Sequence, residues 1–307
     1  MNVLQELRTL SRVRFFQLLG LAAFLTWAGG RAIDLKYCVL DLDLYWHLAV
    51  GNWIVQHHSV PRVGILSYTA ATRPWVAYSW GYEVLLSVVY KWFGLLGIGA
   101  FGVLMTLGVA GCTYWMCLRL SKRFWVACPL AAAASWSFLF SLMPRPVFFS
   151  MMLFMVTLTL ILEAQRSGRV QTLYWLPPLF ILWANLHIQF IYGLFLLGLL
   201  LGITLLQKLA DVVGVQPDFL SRPLLPLKEL SAVFAACLLA SCLGPYSFHL
   251  YGVVLQYSQA KLSYEIVNEL QPLNFRFIEH YIQLLLAAAG FLWWAGKRRS
   301  IRSSWHC

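Results

Sequence analysis

Apolar residues run through this chain in long blocks, separated by short polar breaks. A helix that crosses a membrane needs about 20 mostly apolar residues. The blocks at 15–30, 94–118, 124–143, 146–163, 173–187, 189–207, 229–245 and 278–296 come near that length and predict about eight spans. The first, Phe15 to Gly30, follows Arg8, Arg12 and Arg14. It reads as a signal anchor, because no small-x-small cleavage site precedes a globular domain and more spans follow. The fifth carries Pro177 and Pro178 in its first turns, which predicts a broken or tilted helix. Residues 173–207 divide into two helices, since one long helix would bury Asn185, His187 and Gln189 at mid-bilayer without partners.

Two polar stretches stand out between the blocks, at 31–93 and 246–277. Within the first, residues 44–57 place Tyr45, Trp46, Ala49, Val50, Trp53 and Ile54 at helical spacing, and residues 80–92 repeat the pattern. Both predict helices lying on the membrane surface. Between them, 58–75 carries Pro61, Gly64 and Pro74 and reads as an extended loop. The expected fold class is all-α: a polytopic membrane helical bundle forming a single transmembrane domain over 1–307, with amphipathic surface helices in the first outer loop.

Composition agrees. The chain is 60% hydrophobic and only 11% charged, where a soluble domain averages about 25% charged. A soluble enzyme, a disordered chain and a fibrous repeat are poor readings. The net charge of +11 would suggest nucleic acid in a soluble protein, but here the cations set topology. With eight spans, fifteen of the 23 Lys and Arg fall on the side of the two termini. The positive-inside rule then predicts a multi-pass protein of the cytoplasmic (inner) membrane with both termini cytoplasmic, and no nucleic-acid partner. The outer side receives six of the seven histidines and seven of the twelve acids. Cys112, Cys117, Cys128, Cys237 and Cys242 lie in apolar runs without a C-x-x-C, which predicts neither a disulfide framework nor a zinc site.

Four outer constellations carry chemistry. In Asp41-Leu-Asp43, either Asp43 caps helix 44–57, or one carboxylate deprotonates an acceptor hydroxyl or holds a divalent cation such as Mg or Mn. Arg145, between Pro144 and Pro146, either snorkels to lipid headgroups or grips a phosphate or pyrophosphate bidentately. Asn185, His187 and Gln189 either close a turn between two helices or line a polar pocket with Arg145. Glu265 and Glu269 share one helical face in the last outer loop, and a solvated face explains them equally well. His47 and Glu83 are further pocket candidates. Walker A, G-x-G-x-x-G, H-E-x-x-H and G-x-S-x-G motifs are absent. Acids inside the spans are scarce, which disfavours an ion-driven transporter.

Asp41-x-Asp43-x-Tyr-Trp-His47-Leu-x-x-Gly51-x-Trp53-Ile, then Pro61, Ser67-Tyr-Thr69, Pro74-Trp75 and Trp80-x-x-Glu83, resembles the first extracytoplasmic loop of GT-C-type glycosyltransferases. The chain is similar to bacterial dolichyl-phosphate-mannose–protein mannosyltransferases and lipid A sugar transferases of the cell envelope. Arg145-Pro146, Trp183-Ala-Asn185-Leu-His187, and Pro245-Tyr246 followed by Glu269-Leu-Gln271-Pro272 extend the likeness. The resemblance implies an inverting transferase that moves a sugar from a polyprenyl-phosphate donor to a glycan, lipid or protein acceptor at the outer membrane face. It implies Asp41 or Asp43 as base or metal ligand, and Arg145 with His187 on the leaving phosphate. The group usually has more spans and often a C-terminal soluble domain, so the chain reads as a short or truncated member. The alternative is a non-catalytic membrane scaffold or a flippase for lipid-linked glycans.

Overall fold

The computed structural model describes residues 3–31, 41–138, 144–214, 225–260 and 275–303. These residues form ten α-helices: α1 (Val3–Arg31), α2 (Leu42–His57), α3 (Trp80–Ser121), α4 (Phe124–Phe138), α5 (Val147–Ser167), α6 (Leu176–Leu186), α7 (Phe190–Val213), α8 (Leu227–Ser241), α9 (His249–Gln259) and α10 (Ile278–Ser303). One isolated antiparallel bridge, Val63 to Pro74, pinches the loop between α2 and α3 into an extended excursion.

The chain is a helical membrane protein by the length and composition of its helices, but the expected eight spans are not supported. Among the described residues, four helices are long and apolar enough to cross: Val13–Gly30 within α1, then α3, α5 and α7. The apolar parts of α4 and α10, Phe124–Ser137 and Ile278–Leu292, are shorter. α6 and α8 have 11 and 15 residues; at 1.5 Å per residue they rise about 16 and 22 Å, against a hydrocarbon core of about 30 Å. The apolar blocks of the sequence overstate helix length because punctuation cuts them. The block at 173–187 opens in a 3₁₀ turn (Val170–Trp175) and stops at His187, whose backbone is extended (φ −162°, ψ 143°). That break confirms the division of 173–207 into two helices. Pro177 and Pro178 sit in the first turn of α6, where their missing N–H groups cost nothing.

The two surface helices expected in the first outer loop form differently. Residues 80–92 are continuous with the following span in α3, and the join is Gly94, at φ 59° and ψ −151°. Only glycine adopts such a backbone at little cost, so α3 changes direction there. α2 runs close to its expected bounds, but its buried face is Leu44, His47, Val50, Gly51 and Ile54. Tyr45 and Ala49, expected on the apolar face, are exposed. The aromatic residues misled the assignment; the inward face is chosen by the small residue. Gly51 lies so close to α3 that a Cβ there would collide with the Glu83 carbonyl and with Ser87.

Polar contacts gather at two opposite ends of the bundle. At one, Arg119 pairs bidentately with Glu163 (2.7 and 2.8 Å) and Arg166 donates to the Leu120 carbonyl, joining the α3–α4 and α5–α6 connections. At the other, the starts of α2, α3 and α5 meet the α6–α7 break and the α8–α9 turn. Tyr246 donates its hydroxyl to the Pro61 carbonyl (2.6 Å) and receives the Ala77 N–H, and Arg62 donates to the Pro245 carbonyl. The candidate residues collect at this second end.

Gly51→Ala should lower the melting temperature of the detergent-solubilised protein by an amount equivalent to about 1–3 kcal/mol, the usual cost of overpacking. Gly252→Ala, in open space on α9, should leave it unchanged or raise it.

Candidate functional site

The centre of the site is a three-residue ionic cluster. Arg145 donates Nε–H to Asp41 Oδ2 and Nη2–H to Asp41 Oδ1, both at 2.8 Å. The same Nη2 lies 3.1 Å from Asp43 Oδ2. The fork geometry is the strong form of the Arg–carboxylate bond. It arises locally from two features. Asp41, rather than Asp43, is the N-cap of α2, its Oδ1 accepting the Asp43 N–H. Pro146 in turn leads directly into α5, which fixes Arg145 at the mouth of the turn. Asp43 sits in the first turn of α2 and accepts the Trp46 indole N–H (3.2 Å).

The three differ in access. The Asp41 side chain is 3% exposed, Arg145 27% and Asp43 44%. Asp41 therefore has both oxygens engaged and little contact with solvent. Asp43 presents its carboxylate outward while its far oxygen stays on the guanidinium. Arg145 lies between the two carboxylates, and among the described residues no group of three His, Cys, Asp or Glu is placed to hold a metal.

A second, buried layer lies behind the cluster. His47 Nδ1 and Glu83 Oε1 are 3.3 Å apart, and both residues are buried. The His47 ring stands over Trp46, with ring centres 3.7 Å apart, and meets Tyr82 edge-on. Tyr82 donates to the Pro144 carbonyl and so braces the turn that carries Arg145. Glu83 Oε2 and Ser79 Oγ, one turn apart at the start of α3, have no hydrogen-bond partner among the described residues. A buried carboxylate oxygen in that position is costly unless it carries a proton or meets water.

His187 closes the third side. Its Nδ1 lies 2.8 Å from Ser150 Oγ, which also receives the Trp183 indole N–H at 2.8 Å. Burial, and the nearby His47, push the His187 pKa down to about 3. The residue is therefore neutral near pH 7 and does not supply the positive charge expected of a phosphate ligand. Tyr78, which contacts the rings of both His187 and Tyr257, has its hydroxyl pKa raised by burial.

The remaining candidates are placed as follows. Asn185 accepts the Trp80 indole N–H (3.0 Å) and donates to the Ile181 and Leu243 carbonyls (2.8 Å each), so its amide braces α3, α6 and the end of α8. Gly244 leaves room for that amide, since a Cβ there would meet Asn185 Oδ1. Gln189 is half-buried at the N-cap of α7. Glu265, Glu269 and Gln271-Pro272 lie outside the described residues. Ser150 and Ser79 were not singled out from sequence; a serine in an apolar helix has no local signal, and only the neighbouring Trp183 and Glu83 give these two meaning. No family model matches the chain, and no curated protein or solved structure is significantly similar to it.

Asp41→Asn should destabilise the protein by about 3–5 kcal/mol, the cost of leaving a partly buried charge with a broken partner. Asp43→Asn, at a side chain 44% exposed whose amide can still accept from Trp46, should cost under about 1 kcal/mol; thermal denaturation in detergent reads both. Because the His187 pKa is depressed on folding, His187 disfavours folding only below its ordinary value of 6.5. Stability should fall as pH drops from about 6.5, and His187→Gln should flatten that decline.

Proposed function

We propose that the chain is an integral-membrane glycosyltransferase of the GT-C kind. It would take a sugar from a polyprenyl-phosphate donor and pass it to an acceptor hydroxyl at the outer membrane face. The observation that carries this reading is the convergence of two aspartates from the first outer loop with the proline-framed Arg145 at one end of the bundle. Such a transfer needs a base for the attacking hydroxyl and fixed positive charge for the departing phosphate.

Exposure divides the roles. Asp43 is the base: its carboxylate takes the acceptor's hydroxyl proton as that oxygen attacks the anomeric carbon. The bond from that carbon to the phosphate oxygen breaks with its electron pair on the phosphate, and the configuration inverts. Arg145 receives the developing phosphate charge. Asp41 holds the guanidinium and does not touch the acceptor. His187, neutral, contributes a hydrogen bond rather than a charge. Arg119, Lys122, Arg123, Arg166 and Arg169 gather at the Arg119–Glu163 end, which supports an inner-membrane orientation with that end facing the cytoplasm.

One observation favours a second reading. Asp41 and Arg145 already satisfy each other, which is also the form of a structural lock in a scaffold or lipid-linked-glycan flippase.

The two separate in membrane vesicles carrying the protein and radiolabelled polyprenyl-phosphate sugars. A transferase moves label to acceptor. Asp43→Asn should cut the rate about 10²–10⁴-fold, the usual worth of a positioned base, while leaving membrane insertion intact. Full activity in Asp43→Asn would remove the base assignment. Label that crosses the bilayer without changing its chemical linkage would favour the flippase.

A further inference from the structure

The hydrogen-bond partners of His187 settle its protonation. The indole N–H of Trp183 can only donate, and it donates to Ser150 Oγ. That hydroxyl oxygen is 2.8 Å from His187 Nδ1. Ser150, Trp183 and His187 are all buried. Among the described residues Ser150 Oγ has no third partner. If His187 carried a proton on Nδ1, the serine oxygen would receive two donors and its own hydrogen would be buried without an acceptor, a cost of about 1–3 kcal/mol. With the serine hydrogen pointing at Nδ1, the Trp183 N–H, the Ser150 hydroxyl and His187 Nδ1 are all satisfied. The ring then has its hydrogen on Nε2.

We propose that Trp183 and Ser150 form a tautomer lock that holds His187 as the neutral, Nε2-protonated imidazole, an uncharged hydrogen-bond donor at the same end of the bundle as the Asp41–Asp43–Arg145 cluster. The lock stands on this geometry alone. Its service to a departing sugar phosphate rests on the glycosyltransferase reading. The lock is built across three elements: Ser150 lies in the first turn of α5, just after Arg145, Trp183 is on α6, and His187 is the residue at which α6 ends. The titratable groups near the imidazole are His47, itself paired with Glu83, and Tyr78. Burial and His47 both oppose a second proton on the ring. The consequence for chemistry is specific. A cation here would compete with Arg145 for the cluster's carboxylates, whereas a neutral donor adds a hydrogen bond to phosphate without disturbing the Arg145–Asp41 fork. Ser150 and Trp183 are positioning residues in this scheme.

The test is nitrogen-15 NMR of the full-length protein in nanodiscs, with histidine labelled in the ring and His187 assigned by the His187→Gln variant. The expected spectrum has an unprotonated Nδ1 and a protonated Nε2 that stay unchanged between about pH 8 and pH 5. A His187 signal with the hydrogen on Nδ1, or one that titrates in that range, overturns the lock. Ser150→Ala should convert the signal to a mixture of tautomers, and Trp183→Phe should loosen it without removing the serine. If both variants keep the wild-type pattern, the lock is not made by these residues and the proposal fails. In the vesicle assay, Ser150→Ala should lower turnover about tenfold or more with little change in donor KM, the pattern of a lost tautomer constraint. A wild-type protein that has the predicted spectrum but transfers no sugar from any polyprenyl-phosphate donor would sink the glycosyltransferase reading and leave the lock standing.

Discussion

The fork between Asp41 and Arg145 is the contact on which the outer end of the molecule depends. One carboxylate caps α2 and receives two guanidinium N–H groups, so the first outer loop and the turn entering α5 share a single set of bonds. In an apolar chain such a pair is expensive to desolvate and is retained only if its geometry is good and its other atoms are satisfied. Both conditions are met. The fork is bidentate, and the turn beneath it is braced by Tyr82 on the Pro144 carbonyl. α2 can lie over α3 at this point because Gly51 lets the two backbones approach. That approach in turn places His47 against Glu83.

Charge is scarce in this protein, and the site uses little of it. One cation meets two carboxylates, and the histidine beside them is kept neutral by burial and by its serine partner. Glu83 is the exception, with one oxygen on His47 and the other without a partner among the described residues. The amide of Asn185, by contrast, is spent on Trp80, Ile181 and Leu243, and joins three segments so that the α6–α7 break stays where His187 needs it.

Some of this was legible in the sequence. Asp41, Asp43 and Arg145 drew notice because charged residues framed by proline or placed before a helix need a reason in apolar surroundings, and they meet. The break between α6 and α7 followed from the three polar residues at 185, 187 and 189. Other features were hidden. Apolar blocks do not reveal where a 3₁₀ turn or an extended residue ends a helix, so against eight expected spans there are four helices of sufficient length among the described residues. Periodicity alone chose the aromatic face of α2, because the close approach at Gly51 depends on a partner more than thirty residues away in sequence. The capping role fell to Asp41 and not Asp43, since the helix starts two residues earlier than its apolar pattern. The neutrality of His187 depends on Ser150, which no local pattern announces.

The role proposed for Arg145, which Asp41 holds in place, is to receive a lipid-linked phosphate. It is tested most directly by calorimetric titration of the purified protein with a short-chain polyprenyl phosphate in detergent, alongside the matching polyprenol. The phosphate should bind, the alcohol should bind at least tenfold more weakly, and Arg145→Met should remove the difference, since an ionised phosphate–guanidinium contact is worth about 1.5–3 kcal/mol. Equal binding of phosphate and alcohol by the wild type, or unchanged phosphate binding by Arg145→Met, would contradict it.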